Sequence, residues 1–265
     1  MEDNKSFQQQ VTKIKPPTNE AKSRVRQIAA IIGSVTGLLG ISGVAAVGYY
    51  AFVPPPIKRL PLSQNLISLE SSVGQKILSS TQIKQDYTPL ITYLETQKRP
   101  AYCGVASAVT VLNALGKGES KYQRLDQESF FNGVAQSVRS PYLVTFFGMS
   151  LDELAALVQS HNRTVEIYHA SSTTLEQFRT QAKANLKHDK DFIIVNYDRS
   201  QIEQTGGGHI SPIAAYSEKM DKFLILDVST YKYPPVWVSA STLWAAMNTV
   251  DVLTKKTRGY LIVKR

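Results

Sequence analysis

The stretch QKRPAYCGVASAVTVLNAL, residues 97–115, decides how the rest of the chain is interpreted, because it contains the only cysteine in 265 residues, Cys103. After this cysteine, apolar residues recur at positions 105, 108, 109, 112 and 115, which is the spacing of a helix with one buried face. Pro100 disfavours helix at the residue before it, and Gly116 and Gly118 follow the apolar run. The sequence therefore predicts a buried helix that begins near Cys103 and ends near Gly116.

The chemistry expected of Cys103 follows from this position. A thiol in the first turn of a helix lies beside backbone N–H groups at the positive end of the helix dipole, which favours the thiolate. Six residues earlier, Gln97 is a neutral amide that could donate to an oxyanion at the same point. This layout is typical of an activated nucleophile. The alternative is a lone buried cysteine that packs as a small apolar residue. A base and a residue that orients this base, further along the chain, would favour the nucleophile over the packed cysteine.

Composition and charge limit the classes of protein to which the chain can belong. With 43% hydrophobic and 19% charged residues, the composition is that of a globular protein. A single cysteine rules out an intrachain disulfide and a structural zinc site built from several thiolates. Residues 1–27 carry six Lys/Arg and three Asp/Glu, which leaves +6 of the net +9 for the remainder. The basic residues there are scattered and not interleaved with aromatic residues, so no nucleic-acid partner is expected.

The N-terminal part of the chain predicts a membrane anchor. Residues 1–27 are polar, basic and expected to be disordered. Residues 28–53 are apolar or small and carry no charge, and they are long enough to cross a hydrocarbon core of about 30 Å. Because Lys22, Arg24 and Arg26 precede them, the positive-inside rule places the globular part on the periplasmic or extracytoplasmic side. We expect an uncleaved signal anchor, and the alternative is a cleaved signal peptide with secretion.

The remainder predicts an α+β domain. The proline-rich residues 54–59 are expected to form a stiff linker, and residues 60–265 one globular domain. Helical patterns fill most of its first half, at 125–138, 151–159 (capped by Ser150) and 174–186. Apolar strands and one helix fill the second half, with strands at 192–197, 209–216, 223–228 and 259–263 and the helix at 241–248. Helices followed by an antiparallel sheet indicate the α+β class.

Two residues of the second half could form a catalytic group with Cys103. His209 follows three glycines and starts an apolar strand, which would hold its ring rigidly. Asp227 is a carboxylate among apolar residues and therefore needs a partner. Adjacent antiparallel strands would bring them together, so that Asp227 fixes the tautomer of the imidazole. The alternatives are a histidine satisfied at a strand entrance and an aspartate that caps a turn or pairs with a lysine.

Three separated segments resemble the phytochelatin synthase family in its short cyanobacterial or bacterial form, which has a papain-like cysteine-protease fold. They are residues 97–115, residues 205–213 (TGGGHISPI) and residues 224–238 (LILDVSTYKYPPVWV). The resemblance covers residues 60–265. It implies a catalytic triad of Cys103, His209 and Asp227, with Gln97 contributing to the oxyanion hole. It also implies that Arg258 holds a substrate carboxylate and that the γ-glutamyl pocket is lined by Asn196, Gly208 and Asp251.

The reaction implied by the resemblance is acyl transfer on glutathione. Cys103 attacks the carbonyl that joins cysteine to glycine, and the γ-glutamylcysteinyl group passes to a second glutathione, giving phytochelatin for heavy-metal detoxification, or to water. The chain is expected to bind no cofactor and no metal of its own, since cadmium or zinc would enter as a glutathione thiolate complex. The alternatives are a generic papain-like cysteine peptidase and a non-catalytic membrane-tethered binding module. The residues leave a homodimer open.

Overall fold

The structure, a computed structural model, describes residues 46–49, 51–188 and 190–265. The chain divides into two units, Met1–Tyr49 and Tyr50–Arg265. Of the first unit only residues 46–49 are described, and they are helical. Among the described residues, no helix is both long and apolar enough to span a bilayer. The predicted disordered segment, 1–27, and most of the predicted membrane segment, 28–53, lie outside the described residues, so both stay predictions.

One antiparallel sheet organises the second unit. Its strands are β1 (Ile67–Ser68), β2 (Thr164–His169), β3 (Asp191–Asp198), β4 (Gly208–Ser217), β5 (Lys222–Ile225), β6 (Val236–Ser239) and β7 (Gly259–Lys264). They lie in the order β1-β6-β5-β4-β3-β7-β2. Successive residues along β3 alternate between two buried clusters, with Phe192 and Ile194 in one and Ile193 and Val195 in the other. Both faces of the sheet are therefore covered, which explains why its central strands read as continuous apolar runs.

Eight α-helices cover the two faces. They are α1 (Ser72–Ser80), α2 (Tyr87–Tyr93), α3 (Cys103–Gly116), α4 (Gly133–Val138), α5 (Pro141–Phe147), α6 (Leu151–Gln159), α7 (Leu175–Asn185) and α8 (Ala240–Met247), all within the described ranges. The apolar side chains of α3 and α6 share one buried cluster, and those of α7 and α8 belong to the other. All residues of α3 after Cys103 are buried, so this helix is a central element of the core.

The mixed α/β architecture with an antiparallel sheet is confirmed, as is the predicted helix at 103–116. The capping box of Ser150 and Glu153 confirms the predicted start of α6. The helix predicted at 125–138 is wrong over its first half, because the Asp126 side chain accepts from backbone N–H groups in a turn and Asn132 caps a later start. The strand predicted to reach 228 ends at Ile225, which leaves Asp227 in the following loop.

Candidate active site

Cys103 is the first residue of α3 and is half-buried. The backbone N–H of Ile210, on β4, acts on the thiol to lower its pKa, against the larger effect of burial. One turn further along α3, the Ser107 hydroxyl donates to the Ile210 carbonyl oxygen at 3.0 Å. This bond joins the first turns of α3 to the start of β4, where His209 lies. Cys103 therefore begins a helix that is hydrogen-bonded to the strand carrying the predicted base.

His209 and Asp227 form a buried hydrogen-bonded pair. The distance from His209 Nε2 to Asp227 Oδ1 is 3.0 Å. Although Asp227 lies beyond the end of β5, the Leu226 N–H still donates to the Pro212 carbonyl at 2.9 Å and keeps this segment beside β4. Since Nε2 is engaged by the carboxylate, Nδ1 is the ring nitrogen left for Cys103. The predicted proximity of histidine and aspartate is thus present.

The partner that the buried carboxylate required is Arg199, in the turn after β3. Arg199 Nη1 lies 2.7 Å from Asp227 Oδ2, and Nη2 lies 2.8 Å from Oδ1. The Ser229 N–H also donates to Oδ1, at 2.8 Å. Burial alone would raise the pKa of Asp227, but His209 and Arg199 hold it well below its usual range. The carboxylate therefore stays ionised against the imidazole.

Sequence reasoning missed Arg199. Arg199 directly follows Asp198, the last residue of the apolar strand β3. An aspartate followed by an arginine at the end of a strand is typical of an ordinary turn. Only 3% of Arg199 is exposed, and its guanidinium stacks over the Tyr233 ring with 5.2 Å from Cζ to the centroid. The available signal was indirect: an isolated carboxylate in an apolar run needs a cation, and bidentate geometry favours arginine over lysine.

Burial shifts the pKa values of both His209 and Cys103. Burial lowers the pKa of His209 to about 4, and the charge of Arg199 adds to this, while Asp227 acts in the opposite direction. Burial also raises the pKa of the Cys103 thiol, against smaller opposite effects of the Ile210 hydrogen bond and the Arg199 charge. Both shifts favour the neutral pair in the substrate-free site, a thiol and a neutral imidazole, because loss of water opposes the effect of the helix N-terminus. The thiolate expected from the sequence stays a prediction, which alkylation of Cys103 can test.

Gln97 is buried behind the nucleophile and holds the turn before it. Its Nε2 donates to the carbonyl oxygens of Arg99, at 2.9 Å, and Pro100, at 2.7 Å. Its Oε1 accepts from the Ser229 hydroxyl at 2.6 Å. The amide thus links the loop of Asp227 to the turn that leads into α3. With both contacts of its nitrogen made to backbone carbonyls, its role as an oxyanion donor stays a prediction.

A cavity of about 350 Å³ opens at Cys103. His209 lines it, together with all four residues predicted to bind substrate, Asn196, Gly208, Asp251 and Arg258. Apolar side chains complete the walls, namely Phe146, Phe147, Met149, Ile210, Val252 and Leu253. The nucleophile, the base and the predicted substrate-binding residues therefore share one concave site, with Asp227 and Gln97 buried outside its lining.

Arg258 presents one edge of its guanidinium to this cavity. Its Nη1 is used by the protein, since it donates to Thr249 Oγ1 at 3.1 Å and to the Val250 carbonyl at 2.9 Å. Its Nε is buried and has no hydrogen-bond partner among the described residues. A Cβ placed on Gly208 would lie 2.8 Å from Nη2 and 3.3 Å from Nε, so only a glycine leaves this edge clear. An Nε/Nη2 edge binds a carboxylate through two parallel hydrogen bonds.

The hairpin at residues 249–258, which supplies Asp251 and Arg258, is fixed through His169. His169 Nδ1 lies 2.6 Å from the Thr257 carbonyl oxygen, and Nε2 lies 3.1 Å from Asp152 Oδ1. The other oxygen of Asp152 accepts from Lys256 Nζ at 2.8 Å. One imidazole thus joins the end of β2, the start of α6 and the base of the hairpin. The position of Arg258 depends on this support.

Comparisons with known proteins found a matching family model and several similar enzymes. A family model described as phytochelatin synthase matches residues 57–260. A glutathione gamma-glutamylcysteinyltransferase 3 of Lotus japonicus is 33% identical over 225 residues, which cover 84% of this chain and 46% of that protein. The corresponding enzyme 1 of Arabidopsis thaliana is 33% identical, covering 75% and 42%, and that of Schizosaccharomyces pombe 24% identical, covering 77% and 50%. The chain spans about half the length of these relatives.

Proposed function

The chain belongs to the phytochelatin synthase family, and on that premise we propose that it is a papain-like enzyme that transfers the γ-glutamylcysteinyl group of glutathione. The observation that carries the proposal is the cavity lined together by Cys103, His209 and Arg258. A thiol, a base held by a buried carboxylate and a guanidinium whose Nε has no partner among the described residues are groups suited to acyl transfer from a substrate with a free carboxylate.

In the first step, Cys103 Sγ attacks the carbonyl carbon of the bond between cysteine and glycine, and its proton passes to His209 Nδ1. At physiological pH the imidazole is neutral, so its ring nitrogen has a lone pair for this proton, and the buried carboxylate of Asp227 stabilises the imidazolium that forms. His209 then gives this proton to the glycine nitrogen as the C–N bond breaks, and glycine leaves. The Cys103 N–H would stabilise the tetrahedral oxyanion, at about 3–4 kcal/mol per donor, and Gln97 would add to it by exchanging one of its bonds to the Arg99 and Pro100 carbonyls for the oxyanion. The product is a γ-glutamylcysteinyl thioester.

In the second step, the α-amine of another glutathione, or water, attacks the thioester carbonyl. His209 takes the proton of the attacking group and returns it to Cys103 Sγ as the C–S bond breaks. Asp227, clamped by Arg199, holds the imidazole for both transfers. Transfer to the amine lengthens a phytochelatin, and transfer to water releases γ-glutamylcysteine.

The cavity residues divide according to charge. The unpartnered Nε of Arg258 suits a substrate carboxylate, and the carboxylate of Asp251 suits the α-ammonium of the γ-glutamyl group. Asn196 and Gly208, which pair with Ile210 and Asp198 in the β3–β4 register, line the same cavity. Cadmium or zinc would arrive as a glutathione thiolate complex, as part of the substrate. Residues 28–53 would anchor the enzyme with this site on the extracytoplasmic side.

The test is incubation of the full chain with glutathione, with and without cadmium, followed by mass analysis of the products. We expect glycine release together with γ-glutamylcysteine or its oligomers. Cys103→Ala and His209→Ala should abolish glycine release, and Asp227→Asn should lower it on the order of 10³- to 10⁴-fold with the fold intact by circular dichroism. Undiminished glycine release in Cys103→Ala would contradict the assignment, and cleavage of longer peptides without glycine release from glutathione would indicate a general peptidase.

A further inference from the structure

Exposed apolar side chains border the Cys103 cavity, which Phe146, Phe147, Val252 and Leu253 line, and extend to Phe52 and Tyr142, which line an adjoining cavity. The exposed fractions are 66% for Tyr142, 61% for Phe147, 71% for Val252 and 63% for Leu253. Large apolar side chains seldom cluster at such exposure on monomeric soluble proteins unless the surface has a partner. We define the apolar rim as Phe52, Tyr142, Phe146, Phe147, Val252 and Leu253.

The members of the apolar rim are linked by ring contacts at one end and by a shared cavity at the other. The ring centroid of Phe52 lies 6.4 Å from that of Tyr142 and 5.8 Å from that of Phe146, both in edge-to-face geometry. Phe146 and Phe147 line the cavity together with Val252 and Leu253, which lie at the tip of the hairpin. Two separate elements, α5 and the hairpin, therefore form one apolar surface around the opening.

The fold does not need these side chains for its core. In α5 only Val144 and Thr145 are buried. The remaining apolar side chains of this helix are exposed, and neither Val252 nor Leu253 belongs to a buried cluster. These side chains lie outside the buried clusters and keep much of their apolar surface exposed, which is the pattern of a surface that binds something apolar.

Basic groups accompany the apolar rim. Lys255 and Lys256 follow the hairpin tip, and Lys255 forms no ion pair within the described residues. The guanidinium of Arg99 lies 4.8 Å from the Phe52 ring centroid and 4.7 Å from that of Tyr102. Two carboxylates lie near the hairpin: Asp251, which lines the cavity, and Asp152, which pairs with Lys256 and leaves Lys255 as the unpaired lysine. Aromatic and aliphatic side chains flanked by lysines match the interface of a bilayer that contains anionic lipid.

The chain itself indicates why the partner is a bilayer. Phe52, which packs against the rim helix α5, and Val53 are the last residues of the uncharged apolar segment 28–53. If that segment crosses the membrane, the apolar rim begins where the chain leaves the hydrocarbon. We propose that the apolar rim rests in the headgroup region of an anionic bilayer, so that the cavity opens at the membrane surface. This inference depends on the proposed anchor but not on the proposed transfer reaction.

The experiment measures the depth of single positions of the full chain in vesicles. On a Cys103→Ser background, nitroxide labels are attached through Phe147→Cys and, separately, Leu253→Cys. The matched control is Lys219→Cys, an exposed position just beyond the far end of the ten-residue strand β4 and so about 30 Å from the cavity. Vesicles of phosphatidylcholine are compared with and without phosphatidylglycerol, and accessibility to oxygen is compared with accessibility to a water-soluble nickel chelate.

We expect the labels at 147 and 253 to be more accessible to oxygen than to the nickel chelate, increasingly so with phosphatidylglycerol, and the label at 219 to show the reverse. If the chain sediments with the vesicles but all three labels are equally accessible to the chelate, the anchor holds and the rim proposal is overturned. Shielding that persists in detergent, with spin–spin broadening between chains, would assign the rim to a second copy and also overturn it. Glycine release by the chain with Cys103 intact tests the transfer reaction separately.

Discussion

At the scale of single residues, Arg199 determines how the candidate site is charged. It neutralises Asp227 inside the protein, so His209 faces an ion pair and not a lone carboxylate. A lone carboxylate would favour the imidazolium, whereas the pair leaves burial dominant and the imidazole neutral. The two hydrogen bonds between Arg199 and Asp227 therefore stabilise the buried carboxylate and keep His209 neutral, in the form that can accept a proton.

Replacing Arg199 tests this directly. Arg199→Met leaves the carboxylate of Asp227 buried without its cation, and we expect a loss of about 3–5 kcal/mol in the free energy of unfolding. Arg179→Met is the matched control, because Arg179 makes a bidentate pair with Asp221 that is partly exposed. That variant should lose about 1 kcal/mol or less. Urea unfolding of both variants measures the difference, and equal losses would refute a special role for the buried clamp.

The protonation of Cys103 can be read from its alkylation. Because burial raises the pKa of this thiol, the iodoacetamide rate should still be rising as the pH passes 9.0, the ordinary thiol value. Free N-acetylcysteine, alkylated in a separate parallel mixture, provides the reference rate. A plateau extending through neutral to acidic pH would instead show a resting thiolate–imidazolium pair. The measurement follows the mass of the alkylated chain as a function of pH.

At the scale of secondary-structure elements, the loop before β4 and the hairpin at 249–258 form the walls of the candidate substrate site. The first contributes Gly208, and the second contributes Arg258. They meet at the open guanidinium edge, where the absence of a side chain at 208 is a geometric requirement. Each element can therefore be disturbed separately by one substitution.

Gly208→Ala should weaken glutathione binding without unfolding the chain. Its Cβ would meet Arg258 Nη2 at 2.8 Å, and the guanidinium would have to shift. Loss of charge-assisted hydrogen bonds to a carboxylate predicts an increase in KM of roughly 10- to 100-fold. The neighbouring Gly207→Ala is the control, since its Cβ would meet no atom within 4 Å. Steady-state kinetics of glycine release compares them, and similar KM values would contradict the assigned contact.

Removing the His169 side chain, which supports the hairpin at residues 249–258, should also raise the KM for glutathione. His169→Ala deletes the contacts to Thr257 and Asp152, and we expect KM to rise about 5- to 30-fold with kcat largely kept. His169→Gln, which retains one donor, should recover part of the loss. The exposed His188, replaced by alanine, is the control. A fall in kcat with unchanged KM would show that His169 does not act through the substrate pocket.

At the scale of the whole molecule, stability should fall on acidification. The pKa of His209 is lowered from 6.5 to about 4, so between these values the unfolded chain binds a proton that the folded chain does not. This difference removes roughly 3 kcal/mol as the pH falls through that interval. Asp227, whose folded pKa is also lowered, continues the loss below its unfolded value of 3.8.

Chemical unfolding in detergent at a series of pH values checks this. The unfolding free energy should decline from pH 6.5 toward 4 in the native chain and in an exposed control, His188→Gln. His209→Gln, which cannot take up the proton, should give a flatter profile over that interval. Parallel profiles for all three chains would show that His209 titrates normally in the folded state.

The sequence alone determined the elements that local patterns encode. Spacing of apolar residues located α3, the Ser150 cap located α6, and continuous apolar runs located β3, β4 and β7. The turn at Asp126 was misread as helix because its side-chain hydrogen bonds compete with the helical backbone over a short range. The candidate nucleophile, base and carboxylate were also found from sequence, because each is a chemical exception within an otherwise apolar pattern.

Only the tertiary structure decided what surrounds those residues. Arg199 reaches Asp227 across 28 positions of the chain, and His169 reaches Thr257 across 88, so no local pattern could reveal either contact. The protonation of Cys103 followed from burial, which depends on everything packed around it. Secondary-structure propensity and apolar periodicity depend on residues that are close in sequence, so sequence patterns reveal them. The pKa of a buried group depends on desolvation and on ion pairs, to which all neighbours in space contribute. The elements could therefore be read from the chain, and the electrostatics of the site could not.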